Sequence, residues 1–262
     1  MKIFSYLGSM VINRLRDIYA VWKIIAFSLY SVIFRFHVGR KATWSVILKQ
    51  IYFAGFEAVP IISWISLALG LIIVTQSLSI LPKVGGGGLV GDILVWVVVR
   101  EVGPIFSAII VIARSGTAIA SELGSMKISR EITSLEVSGI DPMHYLIMPR
   151  VIGAAISVFV LTFYFEIISI FGGYLLAGFE KSMTFSVYIA SVLAALGFRE
   201  IIASVLKSAL FGLLIGAICA GRGLKVQKSI TEIPQQTTKA VIGSFKAVFF
   251  IDAVVTFIFF MI

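Results

Sequence analysis

Long apolar stretches separated by short polar segments dominate the pattern of this chain. A helix that crosses a membrane needs about 20 mostly apolar residues, at a rise of about 1.5 Å per residue. By this criterion the sequence predicts five spans, at residues 51–81, 89–113, 151–177, 201–221 and 240–262. The first span is long and contains Glu57 and Pro60, so we expect it to be tilted or kinked.

The region before the first span, residues 1–42, has a different pattern. Its apolar piece WKIIAFSLYSVIF is too short to span comfortably, and basic residues flank and interrupt it. These are Arg14, Arg16, Lys23, Arg35, Arg40 and Lys41. Basic residues beside aromatic ones suit a helix that lies in the plane of the membrane interface. The sequence therefore predicts an interfacial N-terminal helix, with a sixth span as the alternative.

Composition supports a membrane protein and a single domain. Hydrophobic residues make up 59% of the 262 residues and charged residues 13%, whereas a soluble domain has about 25% charged residues. The fold class predicted is an all-α integral membrane protein, with one spanning bundle over residues 43–262. The net charge of +9 is clustered between apolar blocks, which indicates contact with anionic headgroups rather than nucleic acid.

The distribution of basic residues predicts the orientation of the chain. The loops after spans two and four contain Lys127, Arg130, Arg150, Arg222, Lys225, Lys228 and Lys239. The opposite loops offer Lys83 and Lys181. Because loops rich in Lys and Arg stay in the cytoplasm, we expect a cytoplasmic N-terminus and a C-terminus outside. Residues 1–19 lack the apolar core and cleavage site of a secretory signal, and no transit segment is evident, which favours a bacterial source.

Several charged residues fall inside the predicted spans. A charge at the centre of a spanning helix costs about 2.5–3.5 kcal/mol, so such residues usually face a bundle interior or a wet cavity. They are Glu57, Arg100, Glu101, Glu166, Lys207 and Asp252. Counting residues from the span ends places Arg100, Glu101, Lys207 and Asp252 in one layer, in the middle and outer half of the bilayer.

Two interpretations of this charged layer remain open. Buried pairs can simply neutralise each other and fix helix packing, or the layer can line a cavity that holds a charged headgroup. Neighbours on a helix point about 100° apart, so Arg100 and Glu101 cannot both face one partner squarely. Pro104 leaves the carbonyl of Arg100 without its usual helical donor, which favours a kink at the charged site.

A short helix is predicted in the basic loop between spans two and three, at about residues 130–138. Ser129 can cap it, Glu131 lies in its favourable first turn, and Gly139 is suited to end it. Its helically spaced residues are Ile132, Leu135 and Glu136. Asp141-Pro142 then has the pattern of a cap and first position of the next helix. Such a helix is suited to docking a partner; an ordinary loop lying on headgroups is the alternative.

The chemistry-bearing residues do not form an enzyme active site. A nucleophile with a neighbouring base is not evident, nor is a cluster of carboxylates at metal-binding spacing, so we expect no cofactor on this chain. The phosphate-binding pattern GxxxxGK[ST] is missing. Any use of ATP therefore has to come from another subunit.

One stretch resembles a known family. Residues 100–153 read REVGPIFSAIIVIARSGTAIASELGSMKISREITSLEVSGIDPMHYLIMPRVIG. The MlaE (YrbE-type) permeases of ABC lipid transporters usually read E-[IV]-G-P, then R-x-G-[ATS]-A-[IV]-A-x-E-L-G-[ST]-M, then [AS]-L-E-V-x-G-[IV]-D-P and P-R. All of these elements occur here in the same order, so the chain is similar to that family over its signature region.

The resemblance implies a permease subunit of an ATP-driven transporter that moves phospholipids between the inner and outer membranes and maintains lipid asymmetry. Such permeases are homodimers in the bacterial inner membrane, each with an interfacial helix and five spans. ATPase subunits, which use ATP and Mg²⁺, dock on the loop helix. An MCE-domain periplasmic protein is a further partner, and a small cytoplasmic accessory subunit can be another.

The resemblance also implies roles for particular residues. Lining the lipid cavity at the homodimer interface would be Arg100, Glu101, Lys207 and Asp252. Coupling to the ATPase would involve Arg130, Glu131, Leu135, Glu136 and Asp141. Two other functions remain as alternatives: a stand-alone secondary transporter or channel, for which an inverted repeat would be expected, and a structural membrane scaffold in which the charges only lock helices together.

Overall fold

The structure is a computed structural model that describes most of the chain. Described are residues 2–34, 40–80, 89–179, 184–227 and 229–261. The predicted outer loops with Lys83 and Lys181, as well as Arg35 and Lys228, lie outside the described residues. Within those ranges the regular structure is helical throughout and contains no strand, so the all-α prediction is confirmed.

The described helices follow one another with short connections. In chain order they are α1 (Lys2–Phe34), α2 (Arg40–Ala54), α3 (Val59–Ile80), α4 (Val90–Ile128), α5 (Glu131–Val137), α6 (Met148–Phe179), α7 (Phe185–Ala195), α8 (Phe198–Gly223) and α9 (Glu232–Met261). A π-helical turn, Met143–Ile147, leads directly into α6.

Six helical stretches in the described part of the chain are long and apolar enough to cross a membrane. They are Leu15–Phe34, Thr43–Ile80, Val90–Ile128, Met143–Leu175, Phe198–Gly223 and Glu232–Met261. The last five correspond to the five predicted spans. The first belongs to the N-terminal region, and because length and composition do not distinguish a helix that spans from one that lies in the interface, its interfacial placement stays a prediction.

The first long span is broken near the expected position. α2 ends at Ala54, and a 3₁₀ turn, Phe56–Ala58, separates it from α3. Gly55 holds the break together, since its N–H donates to the carbonyl of Ile51 at 2.7 Å and its carbonyl accepts from Ala58 at 3.0 Å. Pro60 follows at the second position of α3, where a missing N–H costs little. The predicted kink is therefore confirmed.

Glycines allow α6 to pack closely against its neighbours. A Cβ at Gly70 of α3 would lie 2.1 Å from the carbonyl oxygen of Ser169, and a Cβ at Gly212 of α8 would lie 2.4 Å from the Cα of Ala155. Gly216 approaches Val151 in the same way, one turn further along α8. Helices in membranes associate through such small residues, because backbones can then approach closely. α6 consequently forms the centre of the bundle.

The short helix α7 was missed from the sequence. The helix is apolar, but its 11 residues are too few to cross a membrane, so the length criterion for spans does not detect it. Gly91 at the start of α4 lies directly against it, because a Cβ there would come 2.4 Å from the backbone of Ser191. The Tyr188 hydroxyl donates to the carbonyl of Ile170 on α6 at 2.8 Å. α7 therefore packs over α4 and α6 at the end of the bundle opposite to the basic loops.

Candidate functional site

The charged segment of α4 has unusual helical geometry. Residues Val95–Val102, which include Arg100 and Glu101, form a π-helix, and α-helical geometry resumes at Gly103. Pro104, directly afterwards, has no N–H to donate. π-helical turns inside α-helices are frequent at functional sites. The disturbance expected near Pro104 therefore takes the form of a π-helical segment that carries both charged residues.

Lys207 of α8 lies at the centre of a buried polar cluster. Its side chain has 0% exposure, and its ammonium lies 2.6 Å from Glu101 Oε2 and 2.8 Å from Asp252 Oδ1. The same nitrogen donates to Thr256 Oγ1 at 2.7 Å and to the backbone carbonyl of Arg100 at 2.9 Å. Two carboxylates thus compensate the buried charge, which a lysine in this environment requires.

The cluster uses up the donors of its lysine. An ammonium has three protons. That of Lys207 donates hydrogen bonds to Glu101, to Thr256 and to the carbonyl of Arg100. Asp252 Oδ1 lies 2.8 Å from the same ammonium and shares its charge with those three acceptors. The ammonium therefore has four close oxygen neighbours for its three protons.

The backbone carbonyl and the side chain of Arg100 contact different groups. The carbonyl faces Lys207, while the guanidinium lies 5.2 Å from the centre of the Trp96 ring and 3.6 Å from Glu101 Oε1. The expectation that Arg100 and Glu101 would not face one partner squarely holds for their side chains. Cation–π contact and the carboxylate together stabilise the guanidinium.

A cavity of about 240 Å³ opens beside this guanidinium. Its wall is charged and aromatic, with Trp96, Arg100, Arg199, Glu200, Phe259 and Phe260 among the lining residues. Of the four residues predicted to line a lipid cavity, Arg100 lies in this wall. Lys207 is packed between helices instead, with Glu101 and Asp252 around it. The structure brings the four residues together; their contact with a lipid stays a prediction.

Sequence reasoning missed Thr256, which completes the cluster. Its hydroxyl donates toward Glu101 at 3.0 Å and accepts from Lys207 at 2.7 Å. Threonine is uncharged and common in apolar helices, so the criterion of a charged residue inside a span does not select it. A detectable signal was its spacing, since Thr256 follows Asp252 by four residues and such pairs share one helix face.

A second buried carboxylate lies next to the Gly103-Pro104 step. Glu166 of α6 is buried, and its Oε1 accepts a 2.5 Å hydrogen bond from the hydroxyl of Ser204. A Cβ at Gly103 would come 3.0 Å from the Glu166 side chain. The glycine therefore lets α4 pass close to this carboxylate, which connects the charged segment to α6 and α8.

The loop helix α5 forms where it was expected, but its beginning differs from the prediction. Ser129 does not cap α5; it ends α4, and Arg130 adopts a left-handed conformation with φ of 59° between the two helices. That conformation changes the direction of the chain in the two-residue turn between the helices. Gly139 follows α5 with φ of 77°, and Asp141 accepts a 3.0 Å hydrogen bond from the N–H of Met143. The terminator and the second cap are thus confirmed.

α5 is anchored on one side and open on the other. Ile132 is buried and Leu135 is half-buried against the core, whereas Val137 is 84% exposed. The predicted coupling residues Arg130, Glu131, Glu136 and Asp141 are exposed as well. They belong to one exposed segment of the chain, residues 130–141; an ATPase contact there stays a prediction.

Comparison with known proteins places this architecture in a family. The family model described as Permease MlaE matches residues 47–258. The chain is 28% identical to a probable ABC transporter permease of Rickettsia typhi, covering 76% of this chain and 77% of that protein. It is 27% identical to the chloroplastic protein TRIGALACTOSYLDIACYLGLYCEROL 1 of Arabidopsis thaliana, covering 92% and 69% respectively.

A third relative carries a more specific name. The chain is 27% identical to the intermembrane phospholipid transport system permease protein MlaE of Haemophilus influenzae, over 82% of this chain and 83% of that protein. The family match includes α3 to α8, most of α9, and with them all four charged residues of the buried cluster. The multi-pass helical protein described above therefore belongs to the MlaE family of ABC transporter permeases.

Proposed function

We propose that this chain is the membrane subunit of an ATP-driven transporter that moves phospholipids between the inner and outer membranes of a bacterium. The relative from Haemophilus influenzae is an intermembrane phospholipid transport system permease, which supports this substrate class. The observation that carries the proposal is the Lys207 cluster inside the bundle, together with the cavity that the Arg100 side chain lines. An apolar bundle has no packing need for so many charges.

The chemistry of the cluster suits a lipid headgroup. A phosphate can pair with the Arg100 guanidinium, because planar N–H groups match phosphate oxygens. An ammonium of the same headgroup can pair with the carboxylate of Glu200 in the wall of the cavity. The aromatic residues Phe259 and Phe260 in the cavity wall then offer an apolar surface to the glycerol and the first acyl carbons.

The proposal includes a homodimer with the cavity at its interface. One face of α9 is apolar and exposed, and contains Phe249, Phe250, Phe257 and Phe260. Either lipid or a second copy has to cover this face in a membrane, and a second copy would close the cavity beside Arg100. The acyl chains of a bound lipid would then lie between the two copies.

Energy would enter at the opposite end of the bundle. In this proposal ABC ATPase subunits, which bind ATP and Mg²⁺, dock on α5 from the cytoplasm, so the N-terminus is cytoplasmic and α1 lies in the interface. The C-terminus is periplasmic, where an MCE-domain protein exchanges lipid with the cavity. Because α5 continues from α4 through the two-residue turn Ser129-Arg130, movement of the ATPases would act directly on α4.

Reconstitution tests this function. The purified chain, with and without its ABC ATPase partner, is placed in proteoliposomes containing fluorescent phosphatidylethanolamine. We expect ATP hydrolysis and lipid transfer to an MCE-domain acceptor only when the ATPase is present, and loss of both with an ATPase inactivated in its nucleotide site. Hydrolysis by the isolated chain would contradict the assignment, and transfer without any ATPase would indicate a secondary transporter.

A further inference from the structure

α4 carries a second charged position, far from the Lys207 cluster. Arg114 lies in another π-helical segment, Ile112–Gly116, and its guanidinium forms an ion pair with Glu57 in the turn between α2 and α3. Its Cζ also lies 5.3 Å from the centre of the Phe53 ring. The two π-helical segments of α4 thus each position one arginine beside one carboxylate and one aromatic ring.

The second pair lies at a different depth in the membrane. Fourteen residues separate Arg114 from Arg100, which corresponds to about 21 Å along a helix, out of roughly 30 Å of hydrocarbon. Gly116 packs against Cys219, where a Cβ would lie 3.0 Å from the sulfur, and Arg222 follows within one turn of α8. The pair therefore lies near the headgroup level on the side of the basic loops.

Unlike the ammonium of Lys207, both members of this pair are open to their surroundings. The Arg114 and Glu57 side chains are 27% and 38% exposed, against 0% for Lys207. Within the described part of the chain, Glu57 is the hydrogen-bond partner of the Arg114 guanidinium, although a guanidinium has five N–H groups. The pair therefore has donors and acceptors left for a ligand.

The aromatic side chains of Tyr52, Phe53 and Phe56 form an exposed surface next to the pair. Phe56 is 65% exposed and stacks on the exposed Tyr52 with ring centroids 5.3 Å apart, and Phe53 is exposed beside them. Aromatic rings favour the headgroup level of a membrane, where they contact the glycerol and the first acyl carbons. The charged pair is thus suited to the headgroup of a lipid, and the adjacent aromatic surface is suited to the apolar part that follows the headgroup.

We propose that Glu57 and Arg114 bind the headgroup of a zwitterionic phospholipid in the leaflet on the side of the basic loops. The phosphate pairs with Arg114 and the ammonium with Glu57, so that the headgroup dipole lies antiparallel to the ion pair. An anionic lipid without an ammonium meets the same arginine but is repelled by Glu57. The site is a second lipid-binding site on α4, separate from the cavity at Arg100. Its role in transport rests on the proposed function, whereas the binding of lipid to it does not.

Native mass spectrometry of the purified full-length chain tests the binding. The probes are phosphatidylethanolamine and phosphatidylglycerol with identical acyl chains. We expect Glu57→Gln to weaken phosphatidylethanolamine binding about tenfold and to leave phosphatidylglycerol binding unchanged or stronger, because a hydrogen bond to a charged group is lost for the ammonium alone. Arg114→Gln should weaken both. Glu122→Gln is the matched control, since it also removes an exposed carboxylate from an arginine, Arg150, at 2.9 Å.

A second measurement leaves the ion pair intact. Phe56 is replaced by the photo-crosslinking residue p-benzoylphenylalanine, and the chain is irradiated in nanodiscs of the same two lipids. Crosslinks to phosphatidylethanolamine, lost with Glu57→Gln, support the site. Crosslinks confined to a second copy of the chain would overturn it, as would equal binding of both lipids by wild type and Glu57→Gln. Neither of these two assays contains ATP or an ATPase. If they detect lipid at this site but the proteoliposome assay described above shows no ATP-driven transfer, the proposed function is overturned and this binding site stands.

Discussion

The Lys207 ammonium on α8 donates a 2.9 Å hydrogen bond to the carbonyl of Arg100 on α4, the carbonyl whose helical donor Pro104 removes. A helix interrupted by proline usually leaves such a carbonyl to water or to a neighbouring side chain. Here a buried charge satisfies it. Proline and lysine are therefore two parts of one arrangement, although they lie 103 positions apart in the chain and neither alone indicates the other.

We predict that Lys207→Met destabilises the fold strongly. The change leaves the half-buried carboxylates of Glu101 and Asp252 with no cation between them. Breaking a fully buried pair typically costs about 3–5 kcal/mol, and the partial exposure of the two carboxylates puts this loss at the lower end of that range or below it. Thermal unfolding in detergent measures the loss. The triple variant K207M/E101Q/D252N should recover most of the stability, because it removes the uncompensated charges; failure to recover would mean that packing, not charge, fixes this region.

Thr256→Val should have a smaller effect on stability. The substitution keeps the shape of the side chain but removes the hydroxyl between Lys207 and Glu101, a loss of about 1–2 kcal/mol. Thr238→Val is the matched control on the same helix, since that hydroxyl is exposed and donates to the backbone carbonyl of Pro234. Equal unfolding temperatures for the two variants would show that Thr256 is dispensable to the cluster.

Gly212→Ala should disrupt packing between α8 and α6. The added methyl would lie 2.4 Å from the Cα of Ala155, so one backbone has to move, at a cost of about 1–3 kcal/mol. Gly243→Ala on α9 is the control, because a Cβ there makes an ordinary contact of 3.4 Å with Ile218. Unfolding in a denaturing detergent should separate the two variants, and a stable Gly212→Ala would contradict the close approach.

Val137→Asp is expected to abolish ATPase docking without affecting the fold of the permease. The side chain is 84% exposed on α5, so the isolated chain tolerates the charge, whereas an apolar interface would have to desolvate it. Co-purification with the ATPase should fall at least about tenfold. Ile230→Asp, at another exposed apolar position on the basic end, serves as the control and should leave docking unchanged; loss in both would indicate a general effect of charge.

Sequence reasoning predicted the features that depend on local physics. The spans follow from transfer of apolar residues into lipid, and the shared depth of Arg100, Glu101, Lys207 and Asp252 follows from counting helical rise. Gly139 and Asp141 follow from backbone preferences at helix ends. Each of these arguments needs only the residues of one segment.

The features that were missed depend on how segments meet. Thr256 belongs to the cluster because α8 and α9 place it beside Lys207 and Glu101, and no property of a threonine alone reveals that. Ser129 has a good capping side chain, but the residue that precedes α5 is the left-handed Arg130, and the burial of Ile132 depends on how α5 packs against the core. α7 is too short for a span criterion; it is held by Gly91, which is distant in sequence, and by Ile170 of the preceding helix.

The saturated ammonium of Lys207 has a consequence for how cargo would be released. A phosphate oxygen that reaches this nitrogen has to displace Thr256, Glu101 or the Arg100 carbonyl, so contact is an exchange of one acceptor for another rather than a new bond. The net gain is then only the difference between two similar interactions. If phospholipid is the cargo, as proposed above, its residence on this nitrogen would be short, and the carrier could pass each lipid onward without first overcoming a deep energy minimum of its own.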